Sequence, residues 1–428
     1  MLSKEDQDVL TQVGPGTKMG NFMRRFWIPA ALEREVSEPD CPPVRLRLLG
    51  EDLVLFRDSK NRIGILAAYC PHRGADLYLG RNEDCGLRCI YHGWKFDIAG
   101  NCLDMPSEPT ESNFADKVKI KSYPCRAQGG VIWVFMGPDN KIAQMPRFEW
   151  SFLKLDQIAV TKRFQECNWA QAYEGGIDSS HISLLHSNLS DSGEGNFGRA
   201  RDKFTTYDRH PVFQVANKPY GLAIAARRTA SSDSYYWRIT QSLFPFYTMI
   251  PPVLRGQDTL GEPYGGHAWV PIDDKSTWTW SFGVKPQGPL TQEEYELTAG
   301  SDGRWGPIDQ NYRPLFNRRN NWGQDRDKQV HTSFSGIDGV ANQDAGIQES
   351  MGEIVDRTKE HLGASDVGII EWRKRILTEV KGLEKGKEPS GAFDGFAYNV
   401  RPASVLLPRN TDWQQGASRL LGGILAEK

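Results

Sequence analysis

Two short segments of this chain, Cys70-Pro71-His72 and Cys89-Ile90-Tyr91-His92, each offer one thiolate and one imidazole. Sixteen residues separate the two segments. Four such ligands on one zinc ion would make a structural site. Two thiolates on one iron and two imidazoles on a second would make a [2Fe–2S] cluster that stores and passes single electrons. Zinc fingers usually keep their cysteines in one half of the motif and their histidines in the other, whereas here each half carries one of each. That division suits a two-iron cluster, to which each half gives one ligand per iron. Gly74 and Gly93 follow the histidines, where the backbone must turn tightly and can aim N–H groups at bridging sulfides.

With the flanking residues included, Cys70-Pro-His-Arg-Gly74 and Cys89-Ile-Tyr-His-Gly-Trp94 closely resemble the Rieske domain of ring-hydroxylating oxygenases. Respiratory Rieske proteins carry two further cysteines beside the cluster. Ala75 and Tyr91 stand at the matching positions here, so the resemblance is to the oxygenase type, with an expected potential near the low end of the range, about −150 mV.

A cluster has no open coordination position, so oxygen chemistry needs a second centre. The segment from Asn168 to His186 supplies candidates in Asp178, His181 and His186. Two neutral imidazoles and one carboxylate on one face of an iron leave positions free for dioxygen. His181 and His186 are five residues apart, and a regular helix would splay them by about 140°. The spacing therefore predicts a terminating or distorted helix, with a π-type widening as one solution. Asp178, three residues before His181, is expected one helical turn away and able to orient that histidine. The carboxylate ligand is expected from Asp344, at the start of a helical stretch, with Glu349 and Asp338 as competitors and a helix-capping role as the alternative.

The D-x2-H-x4-H element at Asp178, His181 and His186 matches the mononuclear-iron motif of Rieske non-haem iron oxygenases, and with the cluster motif the resemblance covers nearly the whole chain. Tyr69–Ala75, Leu87–Phe96 and Gly346–Gly352, with Asp356-Arg357-Thr358 following, make the chain similar to the phthalate dioxygenase group. The resemblance implies an α+β chain: an all-β Rieske domain plus a helix-grip catalytic domain, an antiparallel sheet around a long helix. It implies a [2Fe–2S] cluster on Cys70, His72, Cys89 and His92 and a mononuclear Fe(II) on His181, His186 and Asp344. It also implies electron transfer between subunits, with Asp178 bridging a neighbour's cluster histidine and His181, in a homotrimer or a hexamer of stacked trimers.

The elements that must position these residues can be read coarsely. Residues 1–40 read as a helical or irregular lead-in, with Gly14-Pro15-Gly16 a turn. Strand-like alternation runs from Val44 to Phe56, and short strands continue to Val131–Met136, so 41–138 reads as the all-β cluster domain. Gly137-Pro138-Asp139-Asn140 marks a boundary. Residues 150–428 mix strands (Trp237–Gln241, Trp278–Phe282) with helices suggested by Ile347/Met351/Ile354/Thr358 and Ile369/Ile376/Leu377/Val380, and read as the catalytic domain. Residues 384–428 read as a packed tail.

The 428 residues carry a formal net charge of −2 and 39% apolar side chains, enough for two or three domains and no case for nucleic acid or an anionic membrane. No apolar run reaches the roughly 20 residues of a spanning helix. The polar N-terminus lacks a signal-peptide profile, and five scattered cysteines beyond the motif suit reduced thiols, so the expectation is a cytoplasmic protein. There is no dinucleotide fingerprint and no plant-type ferredoxin spacing, so electrons must come from a separate reductase, expected to depend on NAD(P)H, flavin and an iron–sulfur centre. An aromatic acid would need a cationic clamp in an apolar slot, for which Arg199, Arg201, Arg227, Arg228 and Arg238, with Leu243, Phe244, Phe246, Tyr247 and Ile250, are candidates. Ring hydroxylation of an aromatic carboxylate and O-demethylation of a methoxylated acid fit the same iron. A Rieske electron carrier would leave the second motif unexplained.

Overall fold

The computed structural model describes residues 2–189, 203–299 and 306–425. The chain forms two compact units: residues 13–145, and residues 1–12 together with 146–428.

The 13–145 unit is built of antiparallel sheets. Val44–Leu48, Glu51–Arg57, Ile63–Ala67 and Ser122–Tyr123 form one, and Arg81–Glu83, Gly86–Arg88, Lys95–Phe96 and Cys102–Asp104 another. Val131–Phe135 is the centre of a third, flanked by Cys125–Gln128 and Trp27–Leu32. The last strand falls inside the expected lead-in over 1–40, so the compact unit and the boundary read at residue 41 do not coincide. Trp27–Leu32 is buried at every position and so shows none of the alternation by which strands are recognised. Val54, Phe56, Leu66, Leu77, Leu87, Trp94 and Phe96 form a core that also encloses Cys70 and Cys89.

The larger unit is organised on an eight-stranded antiparallel sheet. Its order is Ile158–Gln165, Thr277–Val284, Tyr264–Pro271, Tyr247–Ile250, Ser234–Leu243, Gly221–Thr229, Val212–Lys218. The eighth strand, Ala403–Pro408, pairs with the first half of Ser234–Leu243. The tail thus completes the sheet. Alternation divides the faces. Ala223, Ala225, Trp237, Ile239, Ala403, Val405 and Trp413 pack together on one. On the other, the hydroxyls of Ser242 and Tyr173 meet at 2.6 Å, which sets the helix Trp169–Ile177 against the sheet. Tyr173 also stacks on Trp372 of the long helix Val367–Glu384, ring centroids 4.6 Å apart. The helix Val340–Ser350 ends earlier than its apolar spacing suggests: Met351 is its C-cap and Gly352, at φ +95°, turns the chain away, so Ile354 and Thr358 lie outside it.

Two arginines lock the helices together. Glu174 accepts from Arg357 Nε and Nη2 (3.3 and 3.1 Å) and Arg373 Nε (2.7 Å), and Glu360 takes the other side of Arg373 at 2.5 and 2.8 Å. Burial works against the charge of Glu174, yet the two guanidiniums hold its carboxyl below the ordinary value. Among the described residues no helix is long and apolar enough to cross a membrane.

Candidate metal centres

The two cysteine–histidine segments fold into equivalent loops. In each, the cysteine carbonyl accepts from the glycine four residues on, Gly74 or Gly93, at 2.9 Å. In each, the cysteine N–H donates to the carbonyl five residues on, Ala75 or Trp94, at 2.8 Å. Both glycines are left-handed, φ +74° and +80°, which is what closes the loops at low cost. A Cβ on Gly93 would also meet Pro106 at 2.5 Å, whereas Gly74 faces open space.

His72 stacks on Trp94 at 4.3 Å and meets His92 edge-on at 4.4 Å. Burial pushes the Cys70 thiol up to about 11, and the neighbouring Cys89 adds to the shift. The buried Nδ1 of His72 has no hydrogen-bond partner, an arrangement that costs free energy unless a ligand completes it. A single zinc ion would need all four ligand atoms crowded around one point. Among the described residues, the ligand atoms that converge within 4.8 Å of one another belong to His181, His186 and Asp344, and the cysteine–histidine quartet is not such a set. Two loops that give one ligand to each of two irons fit the quartet.

The second centre is assembled from two helix ends. The helix Trp169–Ile177 stops at Asp178, which caps it in an extended conformation. The Asp178 side chain accepts from the Ser180 N–H at 2.6 Å, and a single 3-10 turn, His181–Ser183, follows. The five-residue spacing is accommodated by ending the helix, without a π-type widening. The expected contact of Asp178 with His181 is present, Oδ2 to Nδ1 at 3.2 Å, but it forms across this turn rather than along a helix. Asp344 lies in the second turn of Val340–Ser350. Its Oδ1 is 3.4 Å from His181 Nε2 and 3.3 Å from His186 Nε2, and the two Nε2 atoms are 3.2 Å apart.

Those nearly equal edges match three ligands on one face of an ion about 2.1 Å from each. The electrostatics also call for a cation. Burial disfavours a charge on His181, but Asp178 and Asp344 push its pKa up to about 10. Burial opposes ionisation of Asp344 as well, yet His186 and His181 hold its carboxyl far below the usual range. Of the competitors, Glu349 accepts from the Glu166 N–H and the Trp322 indole, and Asp338 pairs with Lys328.

The substrate candidates fare unevenly. Arg228 donates to the Ser179 carbonyl (2.6 Å), the Ser179 hydroxyl (3.3 Å) and the Asp208 carbonyl (3.0 Å). It braces the turn between Asp178 and His181. Arg238 shares a strand face with Ser242, toward the helix Trp169–Ile177, and donates to the Pro251 carbonyl at 3.1 Å. Phe244 and Phe246 are buried in the turn after that strand, where the Phe244 carbonyl accepts from Tyr398. Arg227 lies over the rings of Tyr235 and Trp237. Arg199 and Arg201 lie outside the described residues.

Residues 26–124 match the Rieske [2Fe-2S] domain family, and residues 134–421 match the family described as LigXa C-terminal domain like. Over 431 residues the chain is 37% identical to the phthalate 4,5-dioxygenase oxygenase subunit of Pseudomonas putida, covering 98% of this chain and 95% of that one. The chain belongs to the Rieske-type oxygenases. It is an oxygenase subunit, with a Rieske [2Fe–2S] cluster and the mononuclear iron of that family. It is 36% identical to the 3-chlorobenzoate-3,4-dioxygenase oxygenase subunit of Comamonas testosteroni, with 99% of both chains covered. It is 32% identical to the 5,5'-dehydrodivanillate O-demethylase oxygenase subunit of a Sphingobium species, over 93% of this chain and 85% of the relative. Among solved structures, NdmB of Pseudomonas putida CBB5 superposes with a TM-score of 0.60 at 19% identity, over 94% of this chain and 99% of that one. The terminal oxygenase of carbazole 1,9a-dioxygenase from Nocardioides aromaticivorans IC177 gives 0.56 at 19% identity, over 86% and 98%. These two likenesses establish the shared fold.

Sequence reasoning missed Gln343. Its side-chain oxygen lies 2.6 Å from His186 Nδ1. A metal-binding imidazole usually needs an acceptor on its other nitrogen, but nothing in the order of residues says which one.

Proposed function

We propose that this oxygenase hydroxylates an aromatic carboxylate of the phthalate or benzoate kind, with Cys70, His72, Cys89 and His92 holding the cluster and His181, His186 and Asp344 holding the mononuclear iron. The observation that carries the reading is the convergence of two Nε2 atoms and one carboxylate oxygen at 3.2–3.4 Å in a chain that also bears a Rieske domain. When bound, the cluster supplies electrons singly and the Fe(II) offers open positions to dioxygen. The protein's part is positional. Asp178 holds the His181 ring with Nε2 toward the metal, and the brace from Arg228 to Ser179 fixes the turn that carries both. We assign the carboxylate contact to Arg238, because its face of the sheet is the one toward the helix Trp169–Ile177 that Asp178 caps.

A second reading, O-demethylation of a methoxylated acid, is favoured by the 32% identity to an O-demethylase subunit. In either case electrons come from a separate NAD(P)H-dependent reductase, the subunits assemble as a homotrimer or stacked trimers in the cytoplasm, and Asp178 links His181 to a neighbouring subunit's cluster histidine. The test is oxygen uptake with phthalates, benzoates and methoxybenzoates, reduced by a surrogate reductase. A hydroxylated ring product supports the first reading and formaldehyde the second. Oxygen uptake stimulated by none of these acids would sink both.

A further inference from the structure

The two histidines of the proposed iron site are held by different chemistry. His181 Nδ1 faces the Asp178 carboxylate, whereas His186 Nδ1 faces the side-chain amide of Gln343. An amide can be placed either way round, but here its surroundings decide. The nitrogen end, Nε2, donates to the Ile337 carbonyl at 2.7 Å, a group that can only accept. The oxygen end must therefore be the one 2.6 Å from His186, and Nδ1 of His186 must be the donor. A neutral imidazole protonated at Nδ1 has its lone pair on Nε2, the atom that faces Asp344 and His181.

Gln343 is itself nearly buried, so water does not compete for the contact. It also neighbours Asp344, so one helix delivers both a candidate ligand and the clasp on a ligand from another element. The clasp is anchored: Ile337 lies just before this helix, and Asn342 Nδ2 ties the same stretch to the Trp322 and Asp338 carbonyls at 3.2 Å.

We propose that Gln343 is the positioning residue of His186, fixing its tautomer and ring orientation for iron, and that its neutral amide keeps His186 a weaker donor than the carboxylate-backed His181. This rests on the reading of His181, His186 and Asp344 as the iron site. An amide accepts the Nδ1 proton without drawing it toward a full negative charge, whereas a carboxylate raises the basicity of the ligand it backs. The two imidazoles would then differ in electron donation although both bind through Nε2.

The experiment is anaerobic Fe(II) titration of chelator-treated protein whose cluster absorbance is intact, followed by electron paramagnetic resonance of the nitric oxide adduct. Gln343→Leu removes the acceptor and should weaken Fe(II) binding by about 10- to 100-fold without changing the cluster spectrum. Gln343→Glu keeps an acceptor and adds charge. It should bind Fe(II) at least as tightly as the parent but shift the rhombicity of the nitrosyl signal. Both variants matching the parent in affinity and nitrosyl spectrum would overturn this inference alone. A parent protein that takes up no Fe(II) would overturn the site reading and this inference with it. If Gln343→Leu does not fold, the nitrosyl spectrum of Gln343→Glu decides: a shift supports the inference and an unchanged signal refutes it.

Discussion

Glu174→Gln tests whether the buried ion cluster holds in place the helix Trp169–Ile177, which leads into the proposed iron site. Glu174 is nearly buried, Arg357 is fully so, and Arg373 almost so. The wild-type carboxylate takes three hydrogen bonds from two guanidiniums. Arg373 retains Glu360 when Glu174 is neutralised, but among the described groups Arg357 has Glu174 as its ion-pair partner. The substitution therefore leaves one buried cation without its counter-charge. Breaking a buried pair in this way costs about 3–5 kcal/mol. At about 1.36 kcal/mol per tenfold, that is a factor of about 160 to about 4,700 in the folding equilibrium of the larger unit. Urea denaturation followed by tryptophan fluorescence reads this cost, with the visible absorbance of the cluster recording the other unit separately. The double variant Glu174→Gln/Arg357→Met should recover much of the loss, because it removes the stranded charge. The pH dependence has a definite sign. The carboxyl of Glu174 is lowered in the folded state, so its contribution is complete above the unfolded value of about 4.3 and is lost as pH falls toward the lowered folded value. Glu174→Gln should therefore flatten the acid side of the stability profile. A loss below about 1 kcal/mol with an unchanged acid limb would refute the reasoning.

Asp178→Asn should retain the iron and the cluster yet slow turnover by about two orders of magnitude or more, checked by metal content and substrate-dependent oxygen uptake; full activity would remove its bridging role. Arg228→Leu should lower mononuclear iron occupancy, because it frees the turn between Asp178 and His181, while a raised KM with normal iron content would make Arg228 a substrate clamp instead. Gly93→Ala should lose cluster absorbance far more than Gly74→Ala. Both pay for a left-handed residue, about 1–3 kcal/mol, but only the first collides with Pro106.

Chemistry was more legible in this sequence than geometry. The cysteine–histidine quartet could be read because its spacing is local and each loop closes on its own glycine. Asp178, His181 and His186 could be picked out as a group for the same reason, and the search for a carboxylate to complete a facial triad led to Asp344, whose side chain the structure brings to the two histidines. The route between Asp178 and His181 was not. A three-residue separation suggests a helical turn, but Asp178 accepts from the Ser180 N–H and ends the helix instead. Trp27–Leu32 was missed because a strand buried on both faces shows no period, and its partner, Val131–Phe135, is about a hundred residues away. Arg228 looked like a binding residue from its type alone; only the tertiary structure shows its guanidinium on Ser179. Gln343 was invisible because its role depends on the separate fates of its two amide ends, one at Ile337 and one at His186.

The central claim is that one chain carries both an electron-storing cluster and a separate oxygen-activating iron. Iron and acid-labile sulfide, measured on anaerobically purified parent protein and on His186→Ala, test it most directly. The parent should hold about three irons and about two sulfides per chain, falling to about two and about two in the variant with the visible spectrum unchanged. A colourless, zinc-containing parent, or a variant that keeps all of its iron, would contradict it.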